Sequence, residues 1–102
     1  MPEVKLNLND EQQGAFFLIE NEETIGEMVI AIEGKIMTVY HTEVDPAFEG
    51  KGFAKLLLTA MTDKARNEHL KVRPLCPYVH IQFKRHEAEY ADIWLKETDA
   101  VQ

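Results

Sequence analysis

Four β-rich segments follow one another within the first 44 residues, joined by connections too short to hold a helix, and this spacing restricts the N-terminal half to a meander. Apolar Val4, Leu6 and Leu8 alternate with Lys5, Asn7 and Asn9, so Val4–Asn9 is expected as an edge strand with one solvated face. "DEQQG" (Asp10–Gly14), "NEE" (Asn21–Glu23) and Gly34–Lys35 then separate Ala15–Glu20, Thr24–Glu33 and Ile36–Val44. Consecutive apolar residues in "MVIAI" predict an interior strand covered on both faces.

After "DPAFEGKG" the period changes. Phe53, Leu56, Leu57, Ala60, Met61 and Ala65 fall at helical steps of three and four, leaving Lys55, Thr59, Thr62, Asp63, Arg66 and Asn67 on an outer polar face. "LKVRPLC" (Leu70–Cys76) reads as a short strand ending at Cys76, because Pro77 suits the first position of a helix and biases its predecessor to extended geometry. That helix is expected to carry Val79, Phe83 and His86 on one side, and "EAEYADIWLK" to add a turn or two, with Tyr90 and Trp94 packing the end down. Met28, Met37 and Met61 read as core. The order predicts a single domain over residues 1–102, of α/β (α+β) class: a mixed, mostly antiparallel sheet of about five strands packed with two main helices, with a right-handed crossover into the last strand.

Eighteen acidic against eleven basic side chains give a net charge of −7, which argues against nucleic-acid binding and favours a cationic small molecule or basic protein as partner. A lone cysteine cannot form an intrachain disulfide, which points to a reducing compartment. The N-terminus lacks a basic start and apolar run, and no apolar stretch nears the ~20 residues of a membrane span, so a cytoplasmic protein without membrane contact is expected.

Between the last meander strand and the long helix lies "FEGKGFA" (Phe48–Ala54). Glycine at 50 and 52 permits a tight turn with bare amides, which beside a helix N-terminus form a small anion site; such loops also serve simply as strand-to-helix turns. In its surroundings, "HTEVDPAFEGKGFAKLLL" (His41–Leu58) resembles the acyl-CoA-binding segment of the GNAT superfamily of N-acetyltransferases. "KVRPLCPYVHIQFKRHEAEYADIW" (Lys71–Trp94) extends the resemblance to a short, single-domain branch. The resemblance implies a GNAT-like fold with acetyl-CoA (coenzyme A) held by Thr42, Glu43, Val44, Glu49, Gly50, Lys51, Gly52, Phe53 and Ala54. Two departures matter. Glu49 stands where the superfamily usually has Arg or Gln, so its carboxylate must face away from a pyrophosphate or weaken binding. Only Asp10–Gly14 fills the place of the usual N-terminal helices, so the acceptor side is expected to be open, or completed by another subunit or partner.

Acetyl transfer needs a base for the amine and an acid for the departing thiolate. His41, of the residue type that titrates nearest neutral pH, is the best base candidate, against the alternative of a core histidine; it should share a strand face with Glu43, opposite Tyr40 and Thr42. Cys76 is either a small buried hydrophobe or, beside a helix N-cap and near the thioester in the resembled fold, an acetyl-accepting nucleophile or a thiol lining the acyl pocket. Tyr78 is an alternative acid or packing, and Lys84–Arg85–His86, Lys51 and Lys55 are either CoA-phosphate partners or solvated cations. The expected activity is N-acetyl transfer to an amine, a polyamine or protein lysine being suggested by the acidic chain, directly or through Cys76. The alternative is a CoA-binding interaction module with little catalysis; no metal is expected, and monomer and dimer stay open.

Overall fold

The computed structural model describes residues 2–96. Its elements are β1 (Glu3–Leu8), β2 (Gln13–Glu20), β3 (Glu23–Glu33), β4 (Ile36–Val44), a single 3-10 turn (Pro46–Phe48), α1 (Phe53–Asn67), β5 (Lys71–Pro74), α2 (Pro77–Arg85) and a short α3 (Glu87–Tyr90). The sheet order is β1-β2-β3-β4-β5, antiparallel except for the parallel β4–β5 pair.

Local chemistry explains the meander. Asn9 Oδ1 accepts from the amides of Glu11 at 2.9 Å and Gln13 at 3.0 Å, closing the β1–β2 turn without a helix. Asn21 and Glu22 adopt φ of 50° and 67°, the left-handed pair that a two-residue hairpin turn requires between β2 and β3.

Register assigns the faces. Phe16 pairs with Met28 and Met28 with Thr42, while Ile30 pairs with Val39 and Ile32 with Met37, so these side chains share one face. Leu57, Leu58, Met61 and Ala65 of α1 and Val79 and Phe83 of α2 join that face in one core cluster, and Met28, Met37 and Met61 are fully buried. Fully burying a Leu or Met side chain stabilises by about 1.5–3 kcal/mol.

Several expectations need correction. β3 is not covered on both faces: Val29 and Ala31 point away from the helices and remain half-buried beside Phe17. A run of apolar residues cannot distinguish a second covering layer from short side chains screened by neighbours on the pleat. Thr62, placed on the outer face of α1, is buried; the buried stripe runs Leu57, Leu58, Met61, Thr62, Ala65, and the Thr62 hydroxyl donates to the Thr59 carbonyl at 3.1 Å. β5 stops at Pro74, not Cys76, because the amides of Leu75 and Cys76 converge on the Val39 carbonyl at 3.0 and 2.9 Å and the chain turns away. His86 is an exposed C-cap of α2 with φ −129°, outside the buried stripe of Val79 and Phe83.

The end of the described chain is tied down as expected. Tyr90 stacks on Phe83 at 4.7 Å between centroids, and Trp94 meets Phe83 edge-on at 5.8 Å. Val72 donates to Ile93 O at 2.6 Å and accepts from Leu95 N at 2.9 Å, so residues 93–95 cover the outer edge of β5. Arg66 grips the same segment through Asp92 Oδ2 at 3.0 Å and the Glu89 carbonyl at 2.7 Å. Among the described residues, no helix is long and apolar enough to cross a membrane.

Candidate active site

The β4–β5 ladder covers only Ile36–Val39 against Lys71–Pro74. Beyond it, Tyr40–Val44 keeps β3 on one edge while the other edge has no strand beside it among the described residues. Opposite β3, Val29 pairs with His41 and Ile30 with Val39, which leaves Tyr40 as the extra residue of a bulge. Bulges bend a strand and increase its twist, and this one sits where β4 and β5 part.

A cavity of about 370 Å³ lies beside the open stretch of β4. Thr42, Glu43 and Val44 form one wall, while Glu49, Gly50, Gly52, Phe53 and Ala54 supply the loop and first turn of α1. Gly50 and Gly52 have φ of 82° and 76°, in the left-handed region that side chains disfavour, although a Cβ on either would meet nothing within 4 Å. Glycine is needed here for backbone angle, not for space. Gly52 is the N-cap of α1 without a side-chain cap, so the helix presents bare amides and the positive end of its dipole to the cavity.

Lys51, unlike the loop residues around it, does not line the cavity; its Nζ lies 5.9 Å from the Phe48 ring centroid. Phe48, Lys55 and Tyr78 complete the lining. Phe48 stacks with Phe53 at 6.2 Å across the loop, and the aromatic pair flanking the two glycines was the available sequence signal. Burial pushes the Tyr78 phenol above its ordinary range, with further contributions from Tyr90 and Cys76, so at neutral pH it is a proton donor.

Cys76 is a buried free thiol whose Sγ donates to Thr42 Oγ1 at 3.2 Å, behind the cavity wall. It is the extended N-cap of α2, immediately before Pro77. His41 projects from the other face, where its Nε2 lies 2.8 Å from Glu43 Oε1 with both side chains exposed. The structure therefore joins His41 to Glu43 and Cys76 to Thr42, but separates His41 from Cys76 across the sheet. A second cavity, of about 380 Å³, shares Glu43 and is lined also by Glu27 and Asp45. Glu27 and Glu43 are direct cross-strand partners, so two carboxylates meet on this rim.

The sequence profile of the GCN5-related N-acetyl-transferase family matches residues 15–93. The chain belongs to this family. Among solved structures, this acetyltransferase-family chain is similar to a GCN5-like protein from Staphylococcus aureus, with 25% identity, a TM-score of 0.67, and coverage of 91% of this chain and 87% of that one. The ribosomal-protein-S18-alanine N-acetyltransferase from Escherichia coli shares the fold at 18% identity and a TM-score of 0.58, over 63% of this chain. This chain spans only 42% of that enzyme. A GNAT family acetyltransferase from Elizabethkingia anophelis, with acetyl-CoA bound, shares it at 22% identity and a TM-score of 0.54, over 60% of this chain and 41% of that one. Among curated proteins, none matches. The five-strand, mostly antiparallel sheet with its helices is the GNAT-like fold that the motifs implied.

Proposed function

We propose that this protein binds acetyl-CoA in the cavity between β4 and α1 and transfers the acetyl group to an amine. The observation that carries the reading is the meeting, in one cavity, of the strandless edge of β4 and the uncapped start of α1. Amides of the Gly50–Ala54 loop and helix would receive the donor's pyrophosphate. The free backbone groups of Thr42–Val44 would align its pantetheine as an added strand does.

Roles for the side chains follow from their faces. Tyr78, kept protonated by burial, donates to the sulfur as the C–S bond breaks. On the open face, His41 takes the proton that the amine nitrogen loses as it bonds to the carbonyl carbon, and Glu43 orients the imidazole. With no helices between β1 and β2, an acceptor has free approach to that face. The carboxylates of Glu27, Glu43 and Asp45 on the rim favour a cationic acceptor, a polyamine or a protein lysine. Cys76 offers a two-step route in which its sulfur accepts acetyl, CoA leaves as thiol, and the amine then displaces the cysteine sulfur. Its place against Thr42 supports that route, whereas its burial favours direct transfer. A reducing, cytoplasmic setting fits the lone free thiol.

The second reading, a CoA-binding module acting through protein partners, is favoured by the separation of His41 from Cys76. Calorimetric titration with acetyl-CoA, followed by transfer assays on spermidine and a lysine peptide, decides between them. Saturable binding, lost in Gly52→Glu without unfolding, supports the cavity. Transfer abolished in His41→Ala but retained in Cys76→Ala supports the direct route, and loss in Cys76→Ala with mass-detected acetyl on the wild-type thiol supports the two-step one. Binding without transfer leaves the module, and absence of binding overturns both readings.

A further inference from the structure

The sheet has two edges, and the chain treats them differently. Residues 93–95 cover the edge of β5, whereas β1 has no strand beside its outer edge among the described residues. In an antiparallel ladder, residue pairs that exchange backbone bonds alternate with pairs that do not. The Asn9 amide donates to the Gln13 carbonyl at 2.8 Å, so the β1–β2 register gives the remaining bonds to Asn7, Lys5 and Glu3. The Ile32 amide, donating to the Gln12 carbonyl at 2.9 Å, fixes the same alternation from the far side of β2. The N–H and C=O groups of Val4, Leu6 and Leu8 are therefore turned outward, a row of strong donors and acceptors on an open edge.

The same three residues carry the apolar side chains of the strand. Val4 and Leu6 lie opposite Leu18 and Phe16 on the face that bears the helices, where Val4 and Leu8 pack against the core. Leu6, between them, is 37% exposed. Glu3, Lys5 and Asn7 occupy the other face, all exposed, with Lys5 Nζ 3.8 Å from Glu3 Oε1. No bulge or proline interrupts Glu3–Leu8, either of which would blunt the edge; Pro2 stands just before it.

A strand that pairs with a copy of itself about a two-fold axis is antiparallel, and the position of the axis fixes every contact. An axis between two residues would set the apolar side chains against the polar ones. An axis at Lys5 brings two ammonium groups face to face, and one at Val4 sets Leu6 against Pro2, which has no N–H. An axis at Asn7 or Leu8 sets Asp10 of the β1–β2 turn against Val4 or Leu6. At Leu6 none of these faults arises: Leu6 meets its counterpart, Val4 meets Leu8, and Lys5 faces Asn7. All the outward backbone groups are then engaged, in about six hydrogen bonds. We propose that β1 pairs in this register with β1 of a second copy of the chain, joining two sheets into one. The apolar side chain left most exposed on this strand is thereby covered by its own counterpart. The donor cavity, at the β4 end of the sheet, stays open.

Sedimentation velocity of the full-length protein, from about 10 µM to about 1 mM, tests the pairing. A six-residue edge is small beside the roughly 1,200–2,000 Å² of stable interfaces, so a reversible monomer–dimer equilibrium within that range is expected. Each copy carries −7, so added salt should tighten the dimer. Leu6→Lys puts like charges face to face on the axis and should weaken association roughly tenfold or more with an unchanged thermal midpoint. Two further readings do not depend on that variant. Amide exchange at Val4, Leu6 and Leu8 should slow as the wild-type concentration rises, while Lys5 and Asn7 are protected throughout. In a Cys76→Ala background, which leaves a single thiol, mild oxidation should cross-link Leu6→Cys, whose Cα atoms would stand about 5.5 Å apart. Lys5→Cys, with its counterpart diagonal at about 7–8 Å, should stay uncross-linked. A monomer throughout the range, exchange independent of concentration, cross-linking as efficient at Lys5 as at Leu6, or an undiminished dimer in folded Leu6→Lys would each overturn the proposal.

Discussion

Replacing Gly52 by alanine separates the conformational from the spatial role of the loop. At φ 76° and ψ 14° an added Cβ meets no neighbouring atom within 4 Å, so any penalty comes from the backbone angle alone. A left-handed residue with a side chain costs about 1–2 kcal/mol. In a domain of this size each kcal/mol moves the melting temperature by roughly 4–8 °C. The loop has two ways to respond. If it holds its shape, stability falls by that amount and donor binding survives. If it relaxes, stability is largely kept and the amides turn away, at about 1.5–3 kcal/mol for each lost bond to a charged phosphate, or roughly tenfold or more in affinity. Gly52 is exposed and no side chain caps the helix, so relaxation is expected. Gly34, at φ 61° and equally uncrowded, is the control: β3 and β4 hold it on both sides, so Gly34→Ala should show the full melting shift with unchanged donor binding. Calorimetric titration with acetyl-CoA and thermal unfolding of the two variants provide the readings. Undiminished donor affinity and stability in Gly52→Ala, or equal loss of donor affinity in Gly34→Ala, would refute the assignment of the loop.

Tyr78→Phe should slow transfer about 100-fold with little change in donor affinity, the loss expected of one positioned acid. Burial raises the Tyr78 phenol, so wild-type turnover should persist through the pH where an ordinary tyrosine ionises, about 10; an alkaline loss near pH 9 traced to Tyr78 would contradict the role. Gly14→Ala would place a Cβ 2.0 Å from the Asn7 carbonyl oxygen across the β1–β2 ladder, and urea unfolding should show a loss of about 1–3 kcal/mol; wild-type stability would refute that register. Hydrogen bonding to Arg66 holds the Asp92 carboxyl below its usual range, so this pair stabilises the fold above the unfolded carboxylate pKa and the benefit is lost as pH falls through the lower folded value. Because Asp92 is largely exposed, the effect is at most about 1 kcal/mol. The stability gap between wild type and Arg66→Gln should therefore be widest at neutral pH and narrow in acid to what the Glu89 carbonyl contact contributes, and a gap independent of pH would point to that contact and packing alone.

The meander was legible because its connections are short, as at Asn21–Glu23; Asn9, which reads as the end of the first strand, instead closes the β1–β2 turn with its side chain. The Gly50–Gly52 loop and the start of α2 at Pro77 were equally readable, since both are dictated by local backbone chemistry. What escaped notice depends on long-range packing. The bulge at Tyr40 leaves Tyr40 and His41 consecutively exposed after buried Val39, and it arises from pairing with β3 that no period reveals. Thr62 reads as polar surface until its hydroxyl finds the Thr59 carbonyl. His41 and Cys76 are each conspicuous in the sequence, but only the register of β4 shows that they emerge on opposite faces.

That separation gives the electrostatics of the molecule a spatial logic that its net charge conceals. Glu27, Glu43 and Asp45 gather on the rim of the open face, where an ammonium acceptor would gain from them. Glu49 stays in the lining of the donor cavity, with Lys55 as the cation among the described residues there. Even at close range, about 4 Å, a carboxylate opposes a pyrophosphate carrying about two charges by roughly 2 kcal/mol in water-like surroundings. That is less than two amide bonds to a charged phosphate supply, at about 1.5–3 kcal/mol each. The loop's backbone geometry can therefore dominate despite Glu49, whereas a surface that relied on side-chain cations alone could not. In a chain this acidic, the proposed binding of the donor's pyrophosphate rests on the bare amides at the start of α1 rather than on side-chain cations. On the proposed reading, the acidic rim at Glu27, Glu43 and Asp45 would then attract an amine.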